Sequence, residues 1–201
     1  MIRTTYIILW VVLTTIFWGL TAIIISFFTR TGNPVHIIAR IWARGILFAS
    51  RINVTVHGLA NIDPNQSYIY MSNHQSNFDI PVLLAHLPVQ FRWLAKAELF
   101  KIPIFGRAMR GAGYVEIDRF NRESAFESIR VAASRMKNGV SVMIFPEGTR
   151  SRDGKIRPFK KGGFIMAVDS GVPIVQVILQ GSRSIMEKSS LKINTGKVAL
   201  N

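Results

Sequence analysis

An α/β domain built on a mixed or largely parallel sheet, preceded by N-terminal helices that associate with a membrane, is the fold class this 201-residue sequence predicts. Two observations predict it. From about residue 52 onward, short β-rich runs alternate with helical segments, the pattern of a sheet covered by helices. Before that, Tyr6 to Phe28 is an uncharged stretch of 23 residues dominated by Ile, Leu, Val, Phe, Trp and Thr. As a helix it would run about 34 Å, long enough to cross a hydrocarbon core.

The formal net charge is +14 and the pI near 11.0, yet hydrophobic residues make up 49% of the chain. A nucleic-acid binder can be this basic but seldom combines that charge with such apolarity. A membrane phospholipid bilayer is therefore the expected partner, and no nucleic acid is expected. The first 62 residues contain Arg3, Arg30, Arg40, Arg44 and Arg51 and no acidic residue. Thr29-Arg30-Thr31 offers no small-residue cleavage pattern, so the apolar run reads as a retained membrane segment and not as a signal peptide. Pro34 to Ser50 interleaves Ile37, Ile38, Ile41, Trp42, Leu47 and Phe48 with Arg40 and Arg44, which lie one helical turn apart. With Asn33 as N-cap and Pro34 at the first helical position as its start signal, this reads as a basic amphipathic helix on a membrane surface. A core helix with two exposed arginines is the plainer alternative. Residues 1–50 are thus expected to form a membrane anchor and residues 51–201 one further domain. The positive-inside rule places that domain on the cytoplasmic face.

Within that domain the strand candidates are Ile52-Val56, Tyr68-Met71, Phe91-Ala95, Gly113-Ile117, Val140-Phe145 and Ile174-Leu179. Helices are expected at Phe78-Leu87, Ile104-Met109, Arg122-Lys137 and Gly163-Asp169. The third is the clearest: Ala125, Phe126, Ile129, Ala132, Ala133 and Met136 recur at helical spacing, and Asn138-Gly139 is a stop signal. About 150 residues suffice for one core and not two. The chain ends at Lys197-Val198-Ala199-Leu200-Asn201, in the middle of a strand-like run, and the domain is expected to be C-terminally incomplete, either as a fragment or without a last strand and helix.

The chemistry begins with Asn73-His74-Gln75-Ser76-Asn77-Phe78-Asp79. Residues five apart on a helix lie about 140° around its axis and would not meet. His74 is instead expected on the loop after a strand, with Gln75-Ser76-Asn77 supplying helix caps and Asp79 in the first helical turn. From there a carboxylate can reach imidazole Nδ1, fix the tautomer and leave Nε2 as a base. Alone, the pair could equally be a solvated histidine and an aspartate serving the helix dipole. A second motif changes that balance. Phe145-Pro146-Glu147-Gly148-Thr149-Arg150-Ser151 follows a strongly apolar strand. There Gly148 permits close backbone approach, while Thr149 and Arg150 can bond phosphate oxygens. From Arg150 to Lys161 the chain carries six basic residues against one acid, Asp153.

No covalent nucleophile is evident. The chain has no cysteine, which excludes a thiolate mechanism, a disulfide framework and a thiolate zinc site. There is no Gly-x-Ser-x-Gly elbow, and His36, His57 and His86 fall into no metal-ligand pattern, so surface or packing roles are expected for them and no metal site. Direct transfer from donor to acceptor is favoured.

Four blocks in order, spread over roughly residues 50 to 180, resemble the glycerolipid acyltransferases with the His-x-x-x-x-Asp motif, and among them the 1-acyl-sn-glycerol-3-phosphate acyltransferases. They are His74 with Asp79; Lys96-Ala97-Glu98-Leu99 with Pro103 and Gly106, running through Gly111-Ala112-Gly113 to Arg119; Phe145 to Ser151; and Val172-Pro173-Ile174-Val175. Gln176 departs from the pattern, standing where a second proline is common. The resemblance implies an acyltransferase domain in which His74 is the general base oriented by Asp79. It assigns phosphate binding to Lys96, Arg119 and Arg150 and an acceptor-binding turn to Glu147 and Gly148, beside Thr149. It implies lysophosphatidate as acceptor, acyl-CoA or acyl-carrier protein as co-substrate, and no metal or bound cofactor. The basic residues could serve either the acceptor phosphate or the phosphates of coenzyme A. It also admits an N-terminal helical hairpin embedded in one leaflet. Two alternatives stand beside this reading: the same chemistry on glycerol-3-phosphate or another lysophospholipid, and a non-catalytic basic membrane- or nucleic-acid-binding protein.

Overall fold

Apolar sequence, uncharged after Arg3, gives the first and longest helix, α1 (Ile2–Phe27). After the turn at Thr29 to Gly32 the chain reverses into α2 (Asn33–Ala49), and the two helices pack against each other. A computed structural model describes residues 2–118, 120–137 and 139–201. The start of α2 corrects the expectation from Asn33-Pro34. Gly32 is the cap residue, and Asn33, already helical, uses its Oδ1 to accept a hydrogen bond from Arg92 Nη2. A buried guanidinium is a stronger claimant on that oxygen than a helix end that Pro34 has already relieved of one N–H.

The remaining elements follow in the expected alternation. They are β1 (Ile52–Val56), β2 (Ile69–Ser72), α3 (Asp79–His86), β3 (Phe91–Lys96), α4 (Ala97–Phe100), α5 (Phe105–Gly111), β4 (Val115–Ile117), α6 (Arg122–Lys137), β5 (Ser141–Ile144), α7 (Gly162–Ser170), β6 (Ile174–Val177), β7 (Leu179–Gln180), α8 (Ser182–Ile185) and β8 (Gly196–Leu200). The strand expected from Gly113 starts at Val115, because Gly113 sits at φ +75° and Tyr114 N–H still closes on the Met109 carbonyl at the end of α5. The single strand expected over 174–179 is two. Ile178 leaves the first sheet and exchanges both backbone hydrogen bonds with Asn201. Asn138 lies outside the described residues; beside it Gly139 takes φ +87°, a conformation glycine adopts without strain.

The main sheet has the order β4-β3-β5-β2-β6, and every described pairing in it is parallel. Parallel strands need crossovers that leave helices on the faces, and side-chain alternation shows both faces covered. From β2 and β5, Ile69, Met71, Val142 and Ile144 point to one side, onto Ile129, Ala132, Ala133 and Met136 of α6 and Met166 of α7. Tyr70, Phe91, Trp93 and Met143 point to the other, onto Val82, Leu83 and Leu84 of α3 and Ala43, Ile46 and Leu47 of α2. A second, smaller sheet, β1-β8-β7, pairs β1 with β8 in parallel and β8 with β7 antiparallel.

Helix α2 therefore contributes to the same core as the sheet. His36, expected in a surface or packing role, packs: it is fully buried, its ring lies edge-on to Phe91, and its Nδ1 is 3.1 Å from the Tyr114 hydroxyl. Burial, aided by Arg92 and Arg40, lowers its pKa to about 3, so it stays neutral in water of ordinary pH. Helix α1 packs on α2 and α5, and Gly19 is what lets it approach. A Cβ there would lie 2.6 Å from Ile104 Cγ2.

Leu83 is fully buried between α3 and the sheet. Leu83→Ala should cost about 2–5 kcal/mol of stability. A denaturation midpoint in detergent that matches the unmodified protein would show that this face of the sheet is not the core described here.

Candidate active site

The site is assembled where the strands of the main sheet end. β2 and β5 are neighbours in register, with Met71 opposite Ile144. Running three residues past each brings His74 opposite Glu147, and the His74 N–H donates to Glu147 Oε1 at 2.8 Å. The exchange continues: Ser151 N–H donates to the His74 carbonyl at 2.8 Å, and Arg157 N–H donates to Glu147 Oε2 at 2.9 Å. Register thus brings together two motifs that lie about 70 residues apart. Crevices at the carboxyl ends of strands are where open α/β sheets bind ligands.

His74 Nδ1 lies 2.8 Å from Asp79 Oδ2, and Asp79 is fully buried. The same oxygen accepts Gln75 N–H at 2.7 Å and Ser76 N–H at 2.8 Å. A carboxylate only accepts, so Nδ1 carries the proton of a neutral imidazole and Nε2 holds the lone pair. The cap expected from Gln75-Ser76-Asn77 is different in detail. Phe78 occupies the cap position of α3, Ser76 Oγ accepts from Phe78 N–H, and Asp79 folds back over the loop as the first helical residue. Ser76 Oγ in turn donates to the Met186 carbonyl at 2.8 Å, and Asn73 exchanges two hydrogen bonds with the Leu179 backbone. The imidazole itself stacks on Phe145, centroids 3.9 Å apart, and Phe145 stacks on Trp93. Ring orientation is therefore held by one hydrogen bond and one aromatic face.

A cavity of about 390 Å³ adjoins this pair. Its lining combines His74, Lys96, Gly148, Thr149 and Arg150 with apolar groups from the helices, among them Trp18 and Ala22 of α1, Ile38 and Trp42 of α2, and Phe105 and Met109 of α5. Gly148 takes φ +73°, which a side chain would strain, and a Cβ there would meet the Lys160 side chain. Arg150 Nη1 is buried and, among the described residues, has no hydrogen-bond partner. Burial lowers the Arg150 pKa, and Asp79 opposes that shift by favouring the charged form.

Most residues singled out from the sequence meet here. Glu147 differs from expectation: both carboxylate oxygens are taken by backbone amides, so it ties the two loops together and does not line the cavity. Arg119 lies outside the described residues. Lys188 was not anticipated. Its Nζ donates to Thr149 Oγ1 at 3.0 Å and to the Arg150 carbonyl at 2.8 Å, and it lines the same cavity. It stands in the polar run Glu187-Lys188-Ser189-Ser190, and no local pattern could have marked it.

A parallel sheet with a His–carboxylate pair and a cationic turn at its carboxyl edge defines the class of α/β protein to which the chain belongs. Residues 53–180 match the Acyltransferase family, and the chain belongs to it. It is 36% identical over 185 residues to the 1-acyl-sn-glycerol-3-phosphate acyltransferase BAT2 of Brassica napus, covering 86% of this chain and 53% of that protein. It is 34% identical over 161 residues to the 1-acyl-sn-glycerol-3-phosphate acyltransferase alpha of Homo sapiens, covering 80% of this chain and 57% of that protein. The chain spans about half the length of the relatives it matches. Its fold is similar to the crystal structure of the 1-acyl-sn-glycerophosphate acyltransferase PlsC from Thermotoga maritima. The TM-score is 0.83 at 31% identity, over 99% of this chain and 81% of that one.

Glu147 is the joint between the two motifs, so Glu147→Gln should destabilise the protein by about 1–3 kcal/mol, because one buried backbone N–H then faces an amide N–H₂ or loses its partner. Denaturant titration of the purified variant measures this. An unchanged midpoint would mean that the two loops hold together without it.

Proposed function

We propose that the chain is a 1-acylglycerol-3-phosphate O-acyltransferase, moving a fatty acyl group from acyl-CoA or acyl-carrier protein to the sn-2 hydroxyl of lysophosphatidate and giving phosphatidate. The observation that carries this reading is His74, held at Nδ1 by buried Asp79 and lining a cavity that pairs cations with an apolar wall. An anionic head and an alkyl chain are the two parts of a lysophospholipid, and such a cavity suits both.

In this mechanism Arg150 and Lys96 take the acceptor phosphate, with Thr149 beside them. The Thr149 hydroxyl accepts from Lys188, which leaves its own O–H to donate. Nε2 of His74 removes the proton from the sn-2 hydroxyl as that oxygen attacks the thioester carbonyl. Asp79 stabilises the imidazolium that forms. Collapse of the tetrahedral intermediate breaks the C–S bond, and the imidazolium proton passes to the departing thiolate. The base ends as it began, with no covalent acyl-enzyme and no call for a metal or bound cofactor.

The anchor is read in the same way. Leu13 and Phe17 of α1 and Phe48 of α2 are exposed apolar side chains. Helix α1 is long and apolar enough to cross a membrane. Yet its first turn is tied to the rest of the protein, Arg3 donating to the Ser50 and Ile193 carbonyls. That tie favours a hairpin of α1 and α2 embedded in one leaflet, with the remaining chain on the cytoplasmic face, where the arginines of the N-terminal region belong.

His74→Ala should reduce kcat by about 10²–10⁴ or more while the circular dichroism spectrum stays unchanged. Asp79→Asn should be nearly as damaging, since an amide holds the other tautomer. Near-normal turnover of lysophosphatidate by purified His74→Ala would end this mechanism.

Exposed positions test the anchor without cutting into the core. The double substitution Leu13→Glu, Phe17→Glu should release the protein from vesicles in a sedimentation assay and spare activity on detergent-dispersed substrate. Full retention on vesicles after a high-salt wash would move the anchor elsewhere.

A further inference from the structure

Lys188 lies beyond residues 53–180, and its environment is unusual for a lysine. Nζ donates to two neutral oxygens, Thr149 Oγ1 and the Arg150 carbonyl. An ammonium has three N–H bonds, so one is left for the cavity that Lys188 lines. Among the described residues no carboxylate forms an ion pair with it. Burial first, and then the positive charges of Arg152, Arg157, Arg150 and Lys96, hold its pKa below the ordinary lysine value. Like charges gathered without an acid repel one another, and a bound anion relieves that repulsion.

The lysine is held in place from two sides. Ser76 of the histidine loop donates to the Met186 carbonyl, two residues before it. Beyond it, Asn194 N–H donates to the Ile185 carbonyl, Ile193 N–H donates to Thr4 Oγ1, and Arg3 donates to the Ile193 carbonyl. The segment that carries Lys188 thus spans from the loop of the base to the first turn of α1.

We propose that Lys188 is a direct ligand of the acceptor's phosphate monoester, completing with Arg150 and Lys96 a cradle that sets the distance from that phosphate to His74. This rests on the acyltransferase reading above and adds a residue to it. The third N–H of Lys188 points the role toward the acceptor because the ammonium is hydrogen-bonded to the turn that carries Arg150 and borders the same cavity as His74. A lysine acts here as a point charge, which an arginine can replace in part and a neutral side chain cannot.

The test is steady-state kinetics of the full chain with lysophosphatidate and acyl-CoA, on Lys188→Met, Lys188→Gln and Lys188→Arg, with dodecyl phosphate as a competitive probe. Lys188→Met and Lys188→Gln should both raise the KM for lysophosphatidate and the Ki of dodecyl phosphate by about 10-fold to 100-fold, the range of one charge-assisted hydrogen bond. The KM for acyl-CoA should stay within about twofold, a shift of less than 0.5 kcal/mol, and Lys188→Arg should recover most of the loss. Glutamine keeps a neutral N–H donor, one bond shorter than lysine, and removes the charge. Wild-type behaviour of Lys188→Gln would therefore make Lys188 a neutral prop of the turn and overturn the proposal. So would a KM that rises for acyl-CoA alone, or a fall in kcat with both KM values and the Ki unchanged. Should one variant fail to fold, the other two still decide the matter. Unmodified protein that acylates no lysophosphatidate would overturn the proposed function itself, and this assignment with it. Unmodified protein that does so, with an unaltered KM in Lys188→Met, would overturn this assignment alone.

Discussion

A carboxylate sealed from water is costly unless donors meet it, and the site is organised around Asp79. Its Oδ2 takes three of them, the His74 ring and the amides of Gln75 and Ser76, while the buried Oδ1 takes none among the described residues. Removing an ion from water costs several kcal/mol even after relaxation, so the folded loop is the arrangement in which that cost is offset. The loop cannot open without stranding the charge. Glu147 repeats the device from the neighbouring strand, with its two oxygens on the amides of His74 and Arg157. One buried carboxylate orients the ring, and the other fixes the backbone that carries it.

These two anions sit under a surplus of cations. Arg150, Lys96 and Lys188 border the cavity, and Arg152 and Arg157 stand near enough to act on Lys188. Opposite charges are buried below and like charges are left facing the cavity, which is the division expected where the balancing anion is a ligand. Such a site is held together by its floor and not by its contents.

The N-terminal helices have two duties at once. Their outward residues are apolar and exposed, while inward ones, Trp18 and Ala22 of α1 and Ile38 and Trp42 of α2, form walls of the cavity. Trp42 Nε1 donates to Thr15 Oγ1, and Arg3 and Thr4 are bonded to Ile193. A change in how α1 lies would thus be felt by the cavity wall and by the segment holding Lys188. In energetic terms α2 belongs to the main core through Ala43, Ile46 and Leu47.

Much of this was written locally in the chain. Alternation of apolar residues marked α6 end to end and β1 to the residue, because burial on one face imposes its period directly on the sequence. The spacing of His74 and Asp79 and the turn at Gly148 were legible for the same reason, as each is a contact or a conformation completed within a few residues. Other features depended on partners far away. Asn33 left its expected cap role for Arg92, Glu147 turned from the cavity to two amides, and the strand at 174–179 broke where Asn201 pairs with Ile178. Lys188 carried no signal, since nothing near it in sequence needs it. The sequence by itself determined the alternation of elements, the apolar N-terminal run and the pairing of His74 with Asp79, all short-range matters of period and reach. Tertiary structure alone decided which strands are neighbours, and through the Met71–Ile144 register it placed His74 against Glu147. Strand order and register are chosen by the summed burial of both faces of the sheet, and no local stretch of chain contains that sum.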